Sequence, residues 1–383
     1  MDRCFRLPHR LAERIRNAGG RLRSSADGPV LVIKFMGMGS LIQFGSLCES
    51  HHVDKNKIVV LTLAVHREVC ELFGFDKALF IRTRPVVLFF LDCLKVLALV
   101  RTLRPACIVD YERCSHAVSL YRNLLAWVGQ CTTLSFEDSR NISLPGQIVH
   151  PVGQFTQDQL LLKGIELMPR KAHQSEDGYI VPFDASKIII NINASNYMLA
   201  RRFPANSYEE VIKSLHRWNE HLKFFLTGSR DEFAYVDKLT ENLNGIPVQN
   251  VCGKWNLVKL TRELMGCTLF ITGDSGPLHL AASLSIPTIA IWGPTQPQHF
   301  GYESKSGMVH ASLNLSCAPC LRHPGSLTAV ACRGKINCLN NLSPDAVIGK
   351  AVAILDAYAN VRSVRLNGIA TSFIQSFAES QIA

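Results

Sequence analysis

The chain has 383 residues, 47% hydrophobic and 19% charged, a balance that excludes an intrinsically disordered protein and predicts two globular domains. No uncharged apolar run reaches the roughly 18 residues of a transmembrane helix, which argues against a membrane-spanning protein. The 41 basic and 31 acidic residues give a formal net charge of +10, which favours a partner with an anionic surface.

Basic residues are concentrated at the start of the chain. Residues 1–23 carry seven arginines with apolar residues between them, and this pattern fits either a helix lying on an anionic membrane surface or a solvated basic tail. We expect no nucleic-acid partner, because basic and aromatic residues are not interleaved and no zinc-finger or RNA-binding signature occurs. The apolar segment from Val86 to Val100, interrupted by Asp92 and Lys95, predicts a buried or interfacial helix.

The 13 cysteines are scattered and odd in number, and no signal-peptide pattern is visible. We therefore expect a cytoplasmic protein in which most thiols are small core residues. The basic start of the chain favours a peripheral position on the cytoplasmic face of the inner membrane. Four cysteines lie close together near the end of the second half. Their CxxC start fits a structural zinc site, a reversible disulfide or free thiols, and they are Cys317, Cys320, Cys332 and Cys338.

The first half alternates short apolar strands with helices, as in a parallel α/β sheet. After the first strand, residues 29–33, come Gly37, Gly39 and Ser40, a glycine turn that lets backbone approach a ligand but lacks the third glycine of a dinucleotide fingerprint. Ser40 is predicted to cap the following helix. A later strand ends at Asp110 and is followed by Glu112, so both carboxylates are predicted at the sheet edge where open α/β folds bind ligands.

The second half begins after a polar, proline-containing linker at residues 168–187. A strand at 188–193 leads to Arg201 and Arg202, whose guanidinium groups match phosphate oxygens in pairs or else face solvent before a helix. A second strand, 223–227, opens a turn at residues 228–232. These patterns predict a second parallel α/β domain with its ligand residues at the strand ends.

Residues 269–294 read as strand, turn, helix and strand. The turn contains Asp274, Ser275 and Gly276, and Pro277 suits the first position of the helix. Backbone amides at the start of this helix, together with His279 in its first turn, predict a phosphate site.

The string DSGPLHLAA followed by IPTIAIWGPTQP closely resembles the donor-binding signature of glycosyltransferase family 9, the lipopolysaccharide heptosyltransferase family. The match extends through residues 298–302, and the resemblance covers roughly residues 29–355, more closely in the second half. It implies the GT-B fold, in which two Rossmann-like domains face each other across a cleft. The predicted segments are a basic extension (1–28), an acceptor-side domain (29–167), the linker (168–187), a nucleotide-sugar-binding domain (188–343), and a C-terminal helix and tail (344–383).

The resemblance implies an inverting, metal-independent transfer of a heptose-like sugar. The donor would be a nucleotide-diphosphate sugar such as ADP-heptose, the acceptor a lipopolysaccharide-core or related glycolipid, with no further cofactor. Implied donor contacts are Arg201, Arg202, Thr227, Gly228, Glu232, Asp274, Ser275, Gly276 and His279.

The acceptor-side loop implied by the resemblance contains Gly37, Gly39 and Ser40. The family keeps a Gly-Asp pair where this chain has Gly39 and Ser40, and a serine accepts no proton near neutral pH without another base. The family's base therefore cannot be carried over. Asp110 and Glu112 are the substitute candidates for the catalytic proton acceptor, although either carboxylate also fits a cap or an ion-pair partner of Arg113. Ser40 stays a catalytic candidate that another base would have to assist.

Three rival functions stay open. A GT-B-fold sugar-nucleotide epimerase would use the same phosphate-binding site but would need no acceptor. A non-catalytic sugar-nucleotide or glycolipid binder is suggested by Ser40 at the acid's position. An NAD-dependent dehydrogenase fits least, because the first turn lacks the full fingerprint.

Overall fold

The computed structural model describes residues 28–50, 53–112, 116–135, 183–192, 199–295, 297, 308–313, 315, 317 and 336–365. The chain forms two compact units, of which unit 1 contains the described residues up to 135 and unit 2 those from 183 onward. Residues 1–27, residues 168–182 of the predicted linker and residues 298–302 lie outside the described residues. The predicted domain boundaries stay predictions.

Unit 1 alternates strands and helices along its whole length. In chain order its elements are β1 (Val30–Lys34), α1 (Met38–Ser50), β2 (Ile58–Leu63), α2 (Arg67–Leu72), β3 (Leu79–Ile81), α3 (Val86–Leu103), β4 (Cys107–Asp110), α4 (His116–Gly129) and β5 (Thr132–Ser135).

The sheet of unit 1 is parallel throughout, in the order β3-β2-β1-β4-β5. Val30 pairs with Ile58 on one side and Cys107 on the other, so β1 is central. Every residue of β1 is buried, as expected of a strand covered by helices on both faces, and this is why it reads as a continuous apolar run. The strand order reverses between β1 and β4, and such a switch point is where open α/β sheets bind ligands.

Unit 2 repeats this pattern with six strands. Its elements are β6 (Lys187–Asn191), α5 (Ala205–Trp218), β7 (Lys223–Thr227), α6 (Phe233–Thr240), β8 (Val248–Asn250), α7 (Leu257–Met265), β9 (Leu269–Gly273), α8 (Gly276–Ser283), β10 (Thr288–Ile291), β11 (Met308–Ala311), α9 (Asn337–Asn340) and α10 (Pro344–Arg365).

The second sheet is also parallel, in the order β11-β10-β9-β6-β7-β8, which is the doubly wound order of a Rossmann-like domain. Its switch point lies between β6 and β9. Helix α10 packs in the core of this unit through Val347, Ala351 and Leu355, and the Ser343 hydroxyl caps its start by accepting the Asp345 N–H at 3.1 Å. The prediction of two Rossmann-like α/β units is confirmed.

Two helix starts differ from their predictions. Helix α1 begins at Met38, so Ser40 lies inside its first turn and does not cap it; the Ser40 amide donates to the Gly37 carbonyl at 3.2 Å. Helix α8 begins at Gly276, which makes Pro277 its second residue. Both helices start earlier than predicted, because glycine and serine are found at a helix start as well as in the turn before it and so do not fix the first residue.

Helix α3 is the segment predicted to be buried or interfacial. One of its faces is buried in unit 1 and the opposite face is exposed. Val96 and Val100 lie in the core of unit 1, and the buried Asp92 carboxylate pairs with Arg82, with Nη2 and Oδ1 at 2.6 Å. The opposite face is apolar and exposed. Among the helices of the described residues, none is both long and apolar enough to cross a bilayer.

Candidate functional site

The predicted phosphate turn lies at the switch point of unit 2. Strand β6 ends at Asn191 beside β9, and the Asn191 side-chain amide donates to the hydroxyl oxygens of Thr272, at 3.1 Å, and Ser275, at 2.9 Å. Asn191 is buried and was not among the predicted site residues. Its two hydrogen bonds fix the turn that follows β9, and the signal available in the sequence was a polar residue ending an otherwise apolar strand.

Ser275 precedes α8 with extended backbone, and its side chain does not cap the helix because the hydroxyl is turned toward Asn191 and Thr272. The N-terminal amides of α8 therefore receive no side-chain acceptor from Ser275. A helix start with uncapped amides attracts anions through its N–H groups and its positive dipole end. The local geometry fits the predicted phosphate site.

The same turn holds a buried ion pair. Arg201 Nη1 lies 2.9 Å from Asp274 Oδ2, and the Asp274 side chain is only 6% exposed. Arg201 Nε is buried and has no hydrogen-bond partner among the described residues. The structure thus brings Arg201 and Asp274 together at the turn that contains Ser275, and the Arg201 guanidinium is not saturated by hydrogen bonds from the described residues.

His279 follows in the first turn of α8, with Nε2 at 4.0 Å from Asp274 Oδ1. The pKa of His279 is lowered from 6.5 to about 4, chiefly because burial disfavours the charged imidazole; the charge of Asp274 opposes this shift and the charge of Arg201 adds to it. The imidazole is therefore neutral near pH 7. A neutral imidazole still carries one N–H donor, so it can hydrogen-bond a phosphate oxygen.

The low pKa of His279 predicts a pH-dependent stability. The unfolded chain binds a proton at this position below pH about 6.5, while the folded chain does so only below about 4. The free energy of unfolding should therefore increase by up to about 3 kcal/mol as the pH is raised from about 4 to about 6.5. Urea unfolding of the wild type and of His279→Gln across the window measures the difference. Equal pH slopes for the two proteins would contradict the prediction.

Arg202 takes a different direction from Arg201. Its Nη2 lies 3.4 Å from Glu232 Oε1, and its guanidinium carbon lies 4.2 Å from the centre of the Tyr235 ring. Glu232 Oε2 in turn accepts from the Ser229 amide at 2.8 Å and the Ser229 hydroxyl at 3.0 Å. Arg201 thus contacts the turn after β9 and Arg202 the turn after β7. The sequence did not show which arginine would contact which turn.

The second turn begins where β7 ends. Thr227 is buried as its last residue, and the Gly228 carbonyl accepts the Gly253 amide at 2.9 Å. The structure therefore places Thr227, Gly228 and Glu232 at one strand end, as predicted. Their contact with a nucleotide stays a prediction.

Gly253 is a site-supporting residue that the prediction missed. It has a left-handed φ of +68°, and a Cβ atom there would lie 2.8 Å from the Arg230 Cα. Gly253→Ala should therefore displace the turn that carries Glu232, lower the free energy of unfolding by about 1–3 kcal/mol and weaken nucleotide binding. Urea unfolding and nucleotide titration measure the two effects.

The matched control is Gly245→Ala, because Gly245 has a similar φ of +81° but a Cβ there meets nothing within 4 Å. The two substitutions share the strain of a left-handed backbone, so their difference isolates the contact with the turn. Unchanged nucleotide affinity in Gly253→Ala would contradict the supporting role.

Asp110 and Glu112 meet at the switch point of unit 1, where β4 ends beside β1. Glu112 Oε1 accepts the amides of Phe35, at 2.6 Å, and Met36, at 2.5 Å, while Oε2 lies 3.4 Å from Lys34 Nζ. Both charged side chains of this pair are 5% exposed. Glu112 therefore ties the end of β4 to the chain that leaves β1.

The Asp110 carboxylate is also engaged on both oxygens. Oδ1 accepts the Glu112 amide at 3.0 Å, and Oδ2 lies 3.0 Å from Nη1 of the buried Arg122. Arg113, the ion-pair partner considered from the sequence, lies outside the described residues. Burial raises the pKa of Asp110 to about 6, because desolvation outweighs the hydrogen bond from Glu112 and the charge of Arg122. The role of either carboxylate as proton acceptor stays a prediction.

The predicted acceptor-side loop is shorter than expected. Gly37, with φ of +83°, is the last residue before α1, whereas Gly39 and Ser40 belong to the helix. The chain between β1 and α1 is therefore residues 35–37, and two of these residues are held by Glu112.

Only part of the cysteine cluster can be located. Cys338 is buried in the core of unit 2 and Cys317 is exposed, whereas Cys320 and Cys332 lie outside the described residues. The described part of the chain contains no group of three or more histidine, cysteine or acidic residues arranged to hold a metal ion. The structural zinc site stays a prediction.

Part of the chain is similar in sequence to known glycosyltransferases. The model of glycosyltransferase family 9 (heptosyltransferase) matches residues 154–331. Lipooligosaccharide heptosyltransferase 2 of Campylobacter jejuni is 29% identical over 172 residues, which cover 44% of this chain and 51% of that protein. The Haemophilus influenzae protein of the same name is 44% identical over 103 residues, covering 26% of this chain and 29% of that protein. The chain thus matches about half the length, or less, of these relatives.

The fold extends further than the sequence match. The crystal structure of Escherichia coli ADP-heptose lipopolysaccharide heptosyltransferase II superposes with a TM-score of 0.59 at 17% identity, covering 85% of this chain and 98% of that structure. This likeness confirms the predicted GT-B type of α/β fold. Together with the family match, it confirms the resemblance seen in the sequence: residues 154–331 are similar to glycosyltransferase family 9 (heptosyltransferase).

Proposed function

We propose that the chain is an inverting glycosyltransferase that moves a heptose-like sugar from a nucleotide diphosphate to a glycolipid acceptor of the lipopolysaccharide-core type. The observation that carries this proposal is the arrangement of Arg201, Asp274, Ser275 and His279 at the switch point of unit 2, inside the family-matched segment. The matched relatives named as heptosyltransferases, one described with ADP-heptose, support the choice of sugar and nucleotide.

On the donor side, the reaction needs stabilisation of the departing diphosphate. The acceptor hydroxyl attacks the anomeric carbon, a new C–O bond forms, and the bond from that carbon to the diphosphate oxygen breaks with inversion. Arg201, the α8 amides and the neutral His279 would take up the charge that develops on the leaving oxygen. Asp274 orients Arg201 and can accept hydrogen bonds from donor sugar hydroxyls.

The second turn would hold the nucleoside part. Glu232 offers a carboxylate beside the strand end at Thr227, and carboxylates in this position of Rossmann-like domains commonly bind ribose hydroxyls. Arg202, stacked on Tyr235, keeps Glu232 in place. We propose that this turn selects the nucleoside while the Ser275 turn holds the diphosphate.

The proton of the acceptor hydroxyl needs a base. The Asp110–Glu112 pair remains the proposed location, and its neighbour across the sheet edge is the short turn at residues 35–37. Because burial raises the pKa of Asp110 to about 6, its carboxylate is suited to accept a proton near neutral pH, and Asp110 is the preferred member of the pair. Glu112 is better suited to holding the turn.

The test is a panel of nucleotide sugars, ADP-heptose included, incubated with the full chain with and without truncated lipopolysaccharide core. We expect nucleoside diphosphate release from one donor only when the acceptor is present, with the sugar linkage inverted in the product. Release of free sugar or an epimer without acceptor would indicate an epimerase. Tight nucleotide binding without turnover on any acceptor would indicate a non-catalytic binder.

A further inference from the structure

Helix α3 has an apolar face that no other described part of the chain covers. Val87 is 67%, Phe90 54% and Leu94 61% exposed, and their spacing of three and four residues places them on one side of the helix. Val86 and Leu91 are also exposed there. These five residues, the apolar α3 face, form a continuous stripe of large side chains, which a soluble surface rarely carries without a partner.

The polar residues around this stripe are cationic. Arg84 precedes the helix, Lys95 and Arg101 lie within it, and Arg104 follows its last residue, all of them exposed. The only acid in α3 is Asp92, which is buried and paired with Arg82. The stripe is thus bordered by positive charge at both ends.

The neighbouring helix α4 has the same character. It packs on α3, and the Tyr121 hydroxyl donates to the Cys93 carbonyl at 2.8 Å. Its 14 residues include no aspartate or glutamate, and they expose Leu124 and, at 60%, Trp127. A tryptophan with an exposed ring is typical of side chains that sit at the boundary between water and lipid headgroups.

We propose that the apolar α3 face is the surface by which unit 1 docks on an anionic lipid bilayer. Apolar side chains would enter the headgroup region while Arg84, Lys95 and Arg101 contact lipid phosphates, the combination that holds amphipathic helices on membranes. Charge complementarity selects this occupant: a second copy of the chain would bring the same cations against each other, and no exposed acid of α3 or α4 could offset them.

This inference goes beyond the proposed function, and its test needs neither donor nor acceptor, so the two can fail separately. The full chain is floated with vesicles of phosphatidylcholine alone and with vesicles in which phosphatidylglycerol supplies about a third of the lipid. We expect binding to the anionic vesicles that weakens as salt is added. Phe90→Glu with Leu94→Glu should lower the partition coefficient at least about tenfold.

The matched control is Trp218→Glu with Met265→Glu, which makes the same charge change at two partly exposed apolar residues of unit 2 and should leave vesicle binding unchanged. Lys95→Gln with Arg101→Gln should reduce the preference for anionic vesicles. Far-UV circular dichroism and the thermal midpoint verify that each variant is folded, which exposed positions should permit.

Two results would overturn the proposal. One is vesicle binding by the Phe90 and Leu94 double variant equal to that of the wild type, which would place membrane contact elsewhere on the chain. The other is a wild type that ignores vesicles but is dimeric by light scattering and becomes monomeric in the double variant, which would make the apolar α3 face an interface between copies.

Discussion

Arg201→Ala is expected to lower kcat/KM for the sugar nucleotide by about 100- to 1,000-fold, the usual effect of removing one preorganised donor to a developing negative charge. Arg201 reaches the Ser275 turn, with Nη1 on Asp274 and a buried Nε that has no partner in the described part of the chain. Its removal also leaves the buried Asp274 without its cation. Donor titration and initial rates of diphosphate release separate loss of affinity from loss of turnover.

Three companion variants sharpen this result. Arg201→Lys keeps the charge without the planar fork and should recover only part of the activity. Arg202→Ala should chiefly weaken binding of the nucleoside, because Arg202 contacts Glu232. Arg217→Ala removes an exposed arginine paired with Glu210 in the same unit and should change nothing. Full activity and unchanged donor affinity in Arg201→Ala would contradict the proposed contact between Arg201 and the donor's diphosphate.

Glu112→Ala is expected to lower the free energy of unfolding by about 3 kcal/mol or more, the usual effect of leaving one partner of a buried ion pair alone. Lys34 would remain buried without its carboxylate, and the amides of Phe35 and Met36 would lose their acceptor. Glu112→Gln keeps an oxygen for both amides but also removes the charge opposite Lys34, so its loss should be smaller than that of Glu112→Ala only by the contribution of those two hydrogen bonds. Urea unfolding at neutral pH measures the difference between the two variants.

The same pair of variants distinguishes positioning from catalysis. If Glu112 holds the turn, Glu112→Gln should keep kcat within about tenfold of the wild type, whereas removing a general base lowers rates by about 100- to 10,000-fold. Glu112→Ala should raise KM for the acceptor more than it changes donor affinity. A folded Glu112→Gln protein with normal donor affinity and a kcat near zero would instead make Glu112 the base.

Most of the fold could be predicted because a buried parallel strand is recognisable from its own few residues. Strands β1, β6 and β9 are buried at nearly every position, so each appears in the sequence as an uninterrupted apolar run before a polar turn. The Ser275 turn was predictable for the same reason, since strand, small residues and helix follow one another within a few residues. Helix starts were less predictable, because glycine and serine fit a turn and a first helical turn equally well.

The sequence by itself determined two parallel α/β units, the family resemblance and the residues that end their strands. Tertiary structure decided which of those residues meet: Asn191 with Ser275, Arg201 with Asp274, Arg202 with Glu232, and Asp110 with Arg122. These partners lie between 12 and 84 positions apart along the chain. Hydrophobic periodicity and turn residues are local patterns of a few neighbouring positions. Which strand ends meet depends instead on the order of the strands in the sheet, and that order exists only once the whole unit has folded.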